Sequence, residues 1–270
     1  MTDSSRTHDI EPLIRLLQTG DVDHIQSALE LATGLADPAP FEQYVDDLVP
    51  LYALAFEKDL SHPDTAALAA LFQLTVLDVS NKGLTSLPDS LGQLHQLHHL
   101  NCSNNQLMAL PESIDQLDQL QWLDCRHNQL QHLPHSLGKL RQLRQLYCSG
   151  NQLQTLPESI DQLHQLEWLS CTHNQLQTLP EHIGQLHQLK YLSCGNNQLT
   201  TLPNSLGQLH ELIVLSCAHN QLTALPDSLG QLHELDELDV QDNPLIDVPP
   251  IVRDTLGSRL LMDKAERAPE

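Results

Sequence analysis

The chain has 270 residues, with 13 lysine and arginine residues against 35 aspartate and glutamate residues, and a formal net charge of -22. Nucleic acid and anionic membranes are bound through cationic patches, so this balance argues against both as partners. It favours a protein partner with a basic face. The first residues lack a cationic start followed by an apolar stretch, so no signal peptide is predicted. The longest apolar stretch, 48–56, is too short to span a bilayer.

Residues 1–73 show helical periodicity and predict an N-terminal cap. Asp21 is placed to cap one of these helices, and a further helical pattern covers 41–59. Ser61 with Asp64 forms a capping box for the last helix. Their apolar stripes need a surface to cover, and the repeats that follow leave one core edge open. A solubilising cap is therefore favoured over an independent domain.

From 74 to 248 the sequence repeats every 23 residues without insertion, in eight copies that begin at Leu74. Apolar residues recur at repeat positions 1, 4, 6 and 11, asparagine at position 9 and proline at position 15. This period and pattern are typical of leucine-rich repeats. We expect positions 3 to 8 to form a strand, with positions 4 and 6 facing the core. Asparagine at position 9 then turns the chain, and the proline fixes a convex helical or extended segment.

The copy at 120–142, LQWLDCRHNQLQHLPHSLGKLRQ, carries the motif in full. On this motif the chain resembles bacterial leucine-rich repeat proteins of the LPxxLGxLxxL type, which are similar to intracellular Ras-group and disease-resistance leucine-rich repeat proteins. The resemblance covers about two thirds of the chain. It implies an α/β solenoid, a right-handed horseshoe of eight coils over 74–248 with a parallel sheet on its concave face. The helical cap at 1–73 precedes it, and a C-terminal cap and tail at 249–270 follow, with one short helix carrying Ile251, Leu256 and Leu260.

All cysteines occupy position 6, one in each of six consecutive coils. They are Cys102, Cys125, Cys148, Cys171, Cys194 and Cys217. Valine fills this position in the first and last coils, so the thiols are expected to be small buried hydrophobes rather than disulfides or zinc ligands. Six unpaired thiols favour a reducing cytosol.

The informative residues are those at the variable positions 2, 3, 5, 7 and 8 of the strand face. Both tryptophans of the chain are among them. The residues predicted to bind a partner are His99, Trp122, Asp124, Arg126, His127, Tyr147, Trp168, His173 and Tyr191. Aromatic residues and arginine among small polar residues are typical of a protein-binding hot spot. The alternative is that the pattern reflects repeat duplication. Coils three and five share much of their sequence, so a two-coil duplication would place both tryptophans on the strand face without selection for binding.

Histidine recurs at position 22, but that position also accepts Asp118 and Arg141, which makes it a tolerant polar site rather than a metal site. No catalytic residue, metal or cofactor is predicted, because inward thiols and outward histidines cannot form a nucleophile and base pair. The favoured function is a cytoplasmic, non-enzymatic interaction scaffold, with a role in signalling. Two alternatives stay open: a secreted effector or effector inhibitor that blocks another protein's active site and is exported without a cleavable signal, and a metal-linked or redox-sensing module.

Overall fold

The computed structural model of the chain describes residues 10–58 and 62–262. The N-terminal part is helical, as expected. Its helices are α1 (Glu11–Gln18), α2 (Val22–Ala32), α3 (Ala39–Asp46), α4 (Val49–Phe56) and α5 (Thr65–Phe72). The side chain of Asp21 caps α2 as expected, by accepting hydrogen bonds from the backbone N–H groups of Asp23 and His24, both at 3.0 Å.

Two expectations for this helical part need correction. The pattern over 41–59 contains two helices rather than one, α3 and α4. Pro50 lies in the first turn of α4, where proline is tolerated, whereas it would disrupt the interior of a single helix. The N-cap of α5 is Asp64, whose carboxylate accepts from the N–H of Ala67 at 2.8 Å. Ser61, the other member of the predicted capping box, lies outside the described residues.

Each repeat contributes one short strand to a single parallel sheet, in which the strands lie in chain order. The strands are β1 (Val76–Asp78), β2 (His99–Asn101), β3 (Trp122–Asp124), β4 (Gln145–Tyr147), β5 (Trp168–Ser170), β6 (Tyr191–Ser193), β7 (Val214–Ser216) and β8 (Glu237–Asp239). Neighbouring strands pair with a shift of one repeat, so Trp122 aligns with Gln145 and Leu123 with Leu146. Equivalent positions therefore form rows that run across the strands.

The strands cover positions 3 to 5, which is shorter than the predicted 3 to 8. The chain turns at position 8, where the backbone is left-handed in every coil, and not at position 9 as expected. The residues concerned have φ between 53° and 67°: Asn81, Asn104, His127, Gly150, His173, Asn196, His219 and Asp242. Asparagine, aspartate, histidine and glycine are the residues that tolerate this conformation best.

The asparagine at position 9 stabilises the turn from within. Asn174 is 9% exposed, and its Nδ2 donates to the carbonyl oxygens of Cys148 at 3.1 Å and Cys171 at 3.0 Å. Its Oδ1 accepts from the N–H of Leu153 in the preceding coil at 3.0 Å. The side chain thus satisfies backbone groups of two coils at once, as the sequence predicts.

The return path of each coil from the first to the seventh runs through a short 3-10 helix. These helices are Asp89–Gln93, Glu112–Gln116, His135–Lys139, Glu158–Gln162, Ile183–Gln185, Asn204–Gln208 and Asp227–Gln231. Coils pack tightly here: a Cβ at Gly184 would lie 2.2 Å from the carbonyl oxygen of Ser205, so only glycine fits.

The C-terminal end differs from the expected short helix. Helix α6 (Pro250–Leu256) buries Val252 and Leu256 but leaves Ile251 half exposed. Leu260 belongs to a ninth strand, β9 (Leu260–Leu261), which pairs with β8 and so continues the sheet. One continuous hydrophobic core joins the cap, all eight coils and this end. No helix in the described residues is long and apolar enough to cross a membrane.

Candidate functional site

Alternation along each strand places positions 3 and 5 on the side of the sheet that faces away from the core. We call this side the sheet face. Five rings on it form a continuous series across strands β2 to β6, here called the aromatic ladder: His99, Trp122, Tyr147, Trp168 and Tyr191. The centroids of neighbouring rings are 6.1, 5.9, 6.2 and 4.2 Å apart, in that order.

The ladder is less exposed than the sequence predicts. Trp122, Tyr147, Trp168 and Tyr191 are each partly buried, because their rings pack against one another over the short strands. Trp168 and Tyr191 stack with an angle of 27° between their planes. Such contacts stabilise the folded chain and hold the rings in place. A partner would therefore meet an ordered aromatic surface rather than free side chains.

Asp124 does not project to solvent, which corrects the expectation for that residue. It is 1% exposed, because the side chain of Arg126 folds over it. The carboxylate accepts hydrogen bonds from Arg126 Nε at 2.9 Å and Nη2 at 2.6 Å, and from the Arg126 backbone N–H at 3.0 Å. This pairing raises the pKa of the Arg126 guanidinium. Asp124 is therefore a support for Arg126 and is not itself available to a partner.

Arg126 links the ion pair to the ladder. Its side chain is 44% exposed, and the guanidinium carbon lies 5.1 Å from the centroid of the Tyr147 ring, within cation–π range. Tyr147 Oη donates to Oε1 of Gln145 at 2.9 Å. Burial is the main cause that raises the pKa of Tyr147, so its phenol stays protonated at neutral pH.

The three candidate histidines have different settings. His99 is exposed and contacts Trp122, so it belongs to the ladder. His127 and His173 are exposed but sit at the left-handed turn position. The ring of His127 lies against Gly150 of the next coil, where a Cβ would be 2.6 Å from its Nδ1. A role in the turn accounts for both residues without a partner.

A charged row that the sequence pattern did not predict lies beside the ladder. Glu167 accepts from Arg144 at 3.1 Å on one side and from Lys190 at 3.2 Å on the other, across three coils. All three residues occupy position 2, which belongs to the variable set. Their equal spacing and alternating charge were the available signal.

The cysteine column is buried, as predicted. Each of the six thiols is 0% exposed and free. In four coils the thiol points at a carbonyl oxygen of the next coil, as in Cys171, whose Sγ lies 3.5 Å from the oxygen of Ser193. Burial raises the pKa of Cys102, Cys148 and Cys194 to about 12. A redox-sensing thiol needs the opposite setting, an accessible thiol with a lowered pKa.

The surface beside the ladder has little of the shape that small-molecule sites need. The hollow on the sheet face next to Trp122 and His99 has a volume of about 150 Å³, below the roughly 300 Å³ at which small-molecule pockets begin. In the described residues no group of three or more histidine, cysteine, aspartate or glutamate side chains is arranged to hold a metal ion. The ladder presents a surface rather than a cavity.

A strand and a left-handed turn recur in every coil. The position 9 asparagine recurs from the second coil to the eighth, and the 3-10 return path from the first to the seventh. Together they define a leucine-rich repeat solenoid with a helical N-terminal cap. Two family models match the chain. One, described as leucine rich repeat, matches 72–130, 111–153 and 126–176, and the other, the repeat region of leucine-rich repeat and WD repeat-containing protein 1, matches 177–267. The chain belongs to the leucine-rich repeat proteins.

Solved structures agree on the fold. A leucine-rich repeat protein of Leptospira interrogans is 32% identical over 66% of this chain and 57% of its own, with a TM-score of 0.52. The ectodomain of the Arabidopsis thaliana receptor kinase GASSHO1/SCHENGEN3, solved in complex with Casparian strip integrity factor 2, is 31% identical over 66% of this chain and 22% of its own, with a TM-score of 0.60. The present chain thus spans less than two thirds of either relative.

A third structure, internalin C2 from Listeria monocytogenes, is 24% identical over 80% of this chain and 92% of its own, with a TM-score of 0.65, and shares the fold. No curated protein sequence matches the chain significantly.

Proposed function

We propose that this chain is a non-enzymatic interaction scaffold that binds a partner protein on the concave sheet face, centred on the aromatic ladder. One observation carries the proposal: both tryptophans and two of the four tyrosines of a chain with 3% aromatic residues form one connected surface on this face. Aromatic residues that are ordered before binding lose little entropy on contact and are the commonest binding hot spots.

The wider charge balance supports a partner with a basic face. The chain carries a net charge of -22, which attracts cationic surfaces and repels nucleic acid and anionic lipid. The complex between a receptor ectodomain of related sequence and Casparian strip integrity factor 2 also favours a binding role for such a solenoid. The free, buried thiols suit a reducing compartment, and we place the protein in the cytoplasm on that ground.

Tryptophan fluorescence gives a direct test, because Trp122 and Trp168 are the only tryptophans and both lie in the ladder. Proteins captured from a lysate by the full chain are identified and purified, and each is titrated against it at an excitation that selects indole. We expect a change in the emission of the chain on binding, and a loss of capture when Trp122 and Trp168 are both replaced by alanine. Gln131→Ala with Gln177→Ala is the matched control, since both residues are exposed, lie in the same two coils and occupy position 12.

Two results would contradict binding at the ladder. A partner that binds the double tryptophan variant normally, or leaves the emission unchanged, would place the binding surface elsewhere. The ladder would then be a product of repeat duplication. A captured enzyme whose activity falls on binding would identify the scaffold as an inhibitor of that enzyme.

A further inference from the structure

The charges of the sheet face are distributed unevenly along the solenoid. Its cations are Arg126, Arg144 and Lys190, and each is already paired within the face. Arg126 pairs with Asp124, while Arg144 and Lys190 share Glu167. The middle of the face is therefore close to neutral, although the chain as a whole is strongly acidic.

The last coil differs. Asp236 and Glu237 are exposed and Asp239 is partly exposed, and none of the three forms an ion pair in the described part of the chain. Glu237 aligns with Val214, which in turn aligns with Tyr191, so this acidic group continues the row that carries the stacked rings. Aromatic surface and uncompensated negative charge thus lie on one line across the strands.

We infer that the face takes an extended segment of the partner that runs along this line, with an apolar or aromatic side chain on the Trp168–Tyr191 stack and a lysine or arginine over Glu237 and Asp239. The inference rests on the proposed function, and it specifies the chemistry of the bound segment. An ammonium or guanidinium group on the partner meets carboxylates that lack a counterion, which gives both attraction and register.

The spacing of the two anchors follows from the geometry. Three strand spacings separate Trp168 from Glu237, which is about 14 Å at roughly 4.8 Å per strand. Four residues of an extended chain span about 13 Å at roughly 3.3 Å each, and residues four apart point to the same side. The bound segment therefore carries its apolar and basic anchors four residues apart.

The floor between the anchors suits a backbone. Val214 is partly exposed, and Ser193 and Ser216 in the row beside it are partly exposed as well. In the described residues neither serine hydroxyl makes a hydrogen bond. Small side chains let a main chain approach, and free hydroxyls can donate to its carbonyls or accept from its N–H groups.

The test uses a displayed library of random 12-residue peptides, selected on the full-length chain at low salt. Selected peptides are then synthesised and titrated by isothermal titration calorimetry, which does not depend on the tryptophan that one variant removes. We expect enrichment of an apolar or aromatic residue and a lysine or arginine four positions apart. We also expect Asp239→Asn combined with Glu237→Gln to weaken the peptide at least tenfold and to reduce its salt dependence. Asp78→Asn is the matched control, because Asp78 occupies position 5 like Asp239 but lies in the first coil, and it should leave affinity unchanged.

Failure of the two-anchor arrangement and failure of the proposed function give different results. Selected peptides that are neutral or acidic, or basic peptides that bind the coil-eight variant as well as the parent chain, would overturn the inference. If Trp168→Ala still abolishes their binding, the ladder remains the binding surface. Peptides that depend on Glu237 and Asp239 but bind Trp168→Ala normally would overturn both the proposed function and the two-anchor arrangement. A cooperative thermal unfolding transition well above the assay temperature in each variant excludes misfolding as the cause.

Discussion

Trp168 of β5 stacks on Tyr191 of β6, with ring centroids 4.2 Å apart. Trp122 has no such neighbour, since its nearest ring centroids are 5.9 and 6.1 Å away. Although both tryptophans hold position 3 of their coils, their surroundings thus differ. The stacked pair belongs both to the packing of the folded chain and to the surface offered to a partner.

This difference predicts unequal effects of two substitutions. Trp168→Ala removes a stacked, partly buried ring and should lower the free energy of unfolding by about 1 to 2 kcal/mol. Trp122→Ala should cost less. Both should weaken partner binding at least about tenfold, or roughly 1.4 kcal/mol. Urea unfolding and partner titration measure the two effects separately, and equal losses of stability would show that the stack contributes nothing of its own.

The pair of Arg126 and Asp124 predicts an asymmetry. Arg126→Met leaves a carboxylate that is 1% exposed without its cation, which should lower the free energy of unfolding by about 1 to 3 kcal/mol. Asp124→Asn leaves a guanidinium that can turn to water and should cost below about 1 kcal/mol. Thermal unfolding of both variants tests the order. The reverse order would mean that Asp124 is stabilised by its surroundings rather than by Arg126.

The repeat fixes side-chain direction, and for that reason much of this fold is predictable from sequence. Leu123 and Cys125 are buried as position 4 and position 6 require. Asp124 obeys the same alternation, yet its burial depends on how the long side chain of Arg126 lies, and a one-dimensional pattern does not encode that. Two of the four ring contacts are likewise hard to predict, because they join position 3 of one coil to position 5 of its neighbour: Trp122 with Tyr147, and Tyr147 with Trp168.

Two other differences between the expected and the observed fold could have been predicted. The turn at position 8 is visible in residue choice, since Asn81, Gly150 and Asp242 are of the types that accept a left-handed backbone. The sequence predicts Leu260 in a helix because the repeat ends before it, whereas in the structure Leu260 lies in a strand that pairs with the otherwise open edge of β8. The binding role of the ladder stays a prediction, because a surface does not name its partner.

Asn174 tests the contribution of the asparagine row. Its alanine variant loses the hydrogen bonds to the carbonyls of Cys148 and Cys171 and strands the buried N–H of Leu153, so stability should fall by about 3 kcal/mol or more. Gln175→Ala, at the next and exposed residue, should stay within about 0.5 kcal/mol of the parent chain. Chemical denaturation measures both, and a mild Asn174 variant would mean that water replaces the amide.

The buried thiols predict how stability depends on alkaline pH. Burial raises the pKa of Cys102, Cys148 and Cys194 from 9.0 to about 12, so the folded chain holds these protons more tightly than the unfolded chain. Their contribution is fully present below pH 9 and is lost as pH rises towards 12. Each thiol adds a slope of at most about 1.4 kcal/mol per pH unit in that window.

Valine at Cys102, Cys148 and Cys194 together should keep the fold, since Val79 and Val240 hold the same position. The alkaline slope should become shallower without vanishing, because burial also raises the pKa of Cys125, Cys171 and Cys217. The free energy of unfolding of the parent chain and of the triple valine variant is measured from pH 7 to 11 under reducing conditions. An identical slope in both would mean that other groups cause the alkaline loss.

A single Cys171→Ser variant should be less stable than Cys171→Val, because the hydroxyl is harder to bury.

Polar and apolar contacts join the helical cap to the first coil. Gln93 of the first return path accepts hydrogen bonds from Gln18 at 2.7 Å and Tyr44 at 2.9 Å, and Lys82 pairs with Glu57 at 2.7 Å. Behind these contacts the cap and the first coil share one apolar core. Removing 1–73 would expose that core edge, so the remaining chain should aggregate or unfold from its first coil.

Gln93→Ala separates the polar contacts from the apolar ones: it should cost about 1 kcal/mol and keep the chain monomeric, because the shared core stays intact. Light scattering and hydrogen exchange of the first strand, measured on both proteins, report the two effects. A truncated chain that is monomeric and melts at the temperature of the full chain would show that the helices are a separate domain, and their own function would then need an explanation.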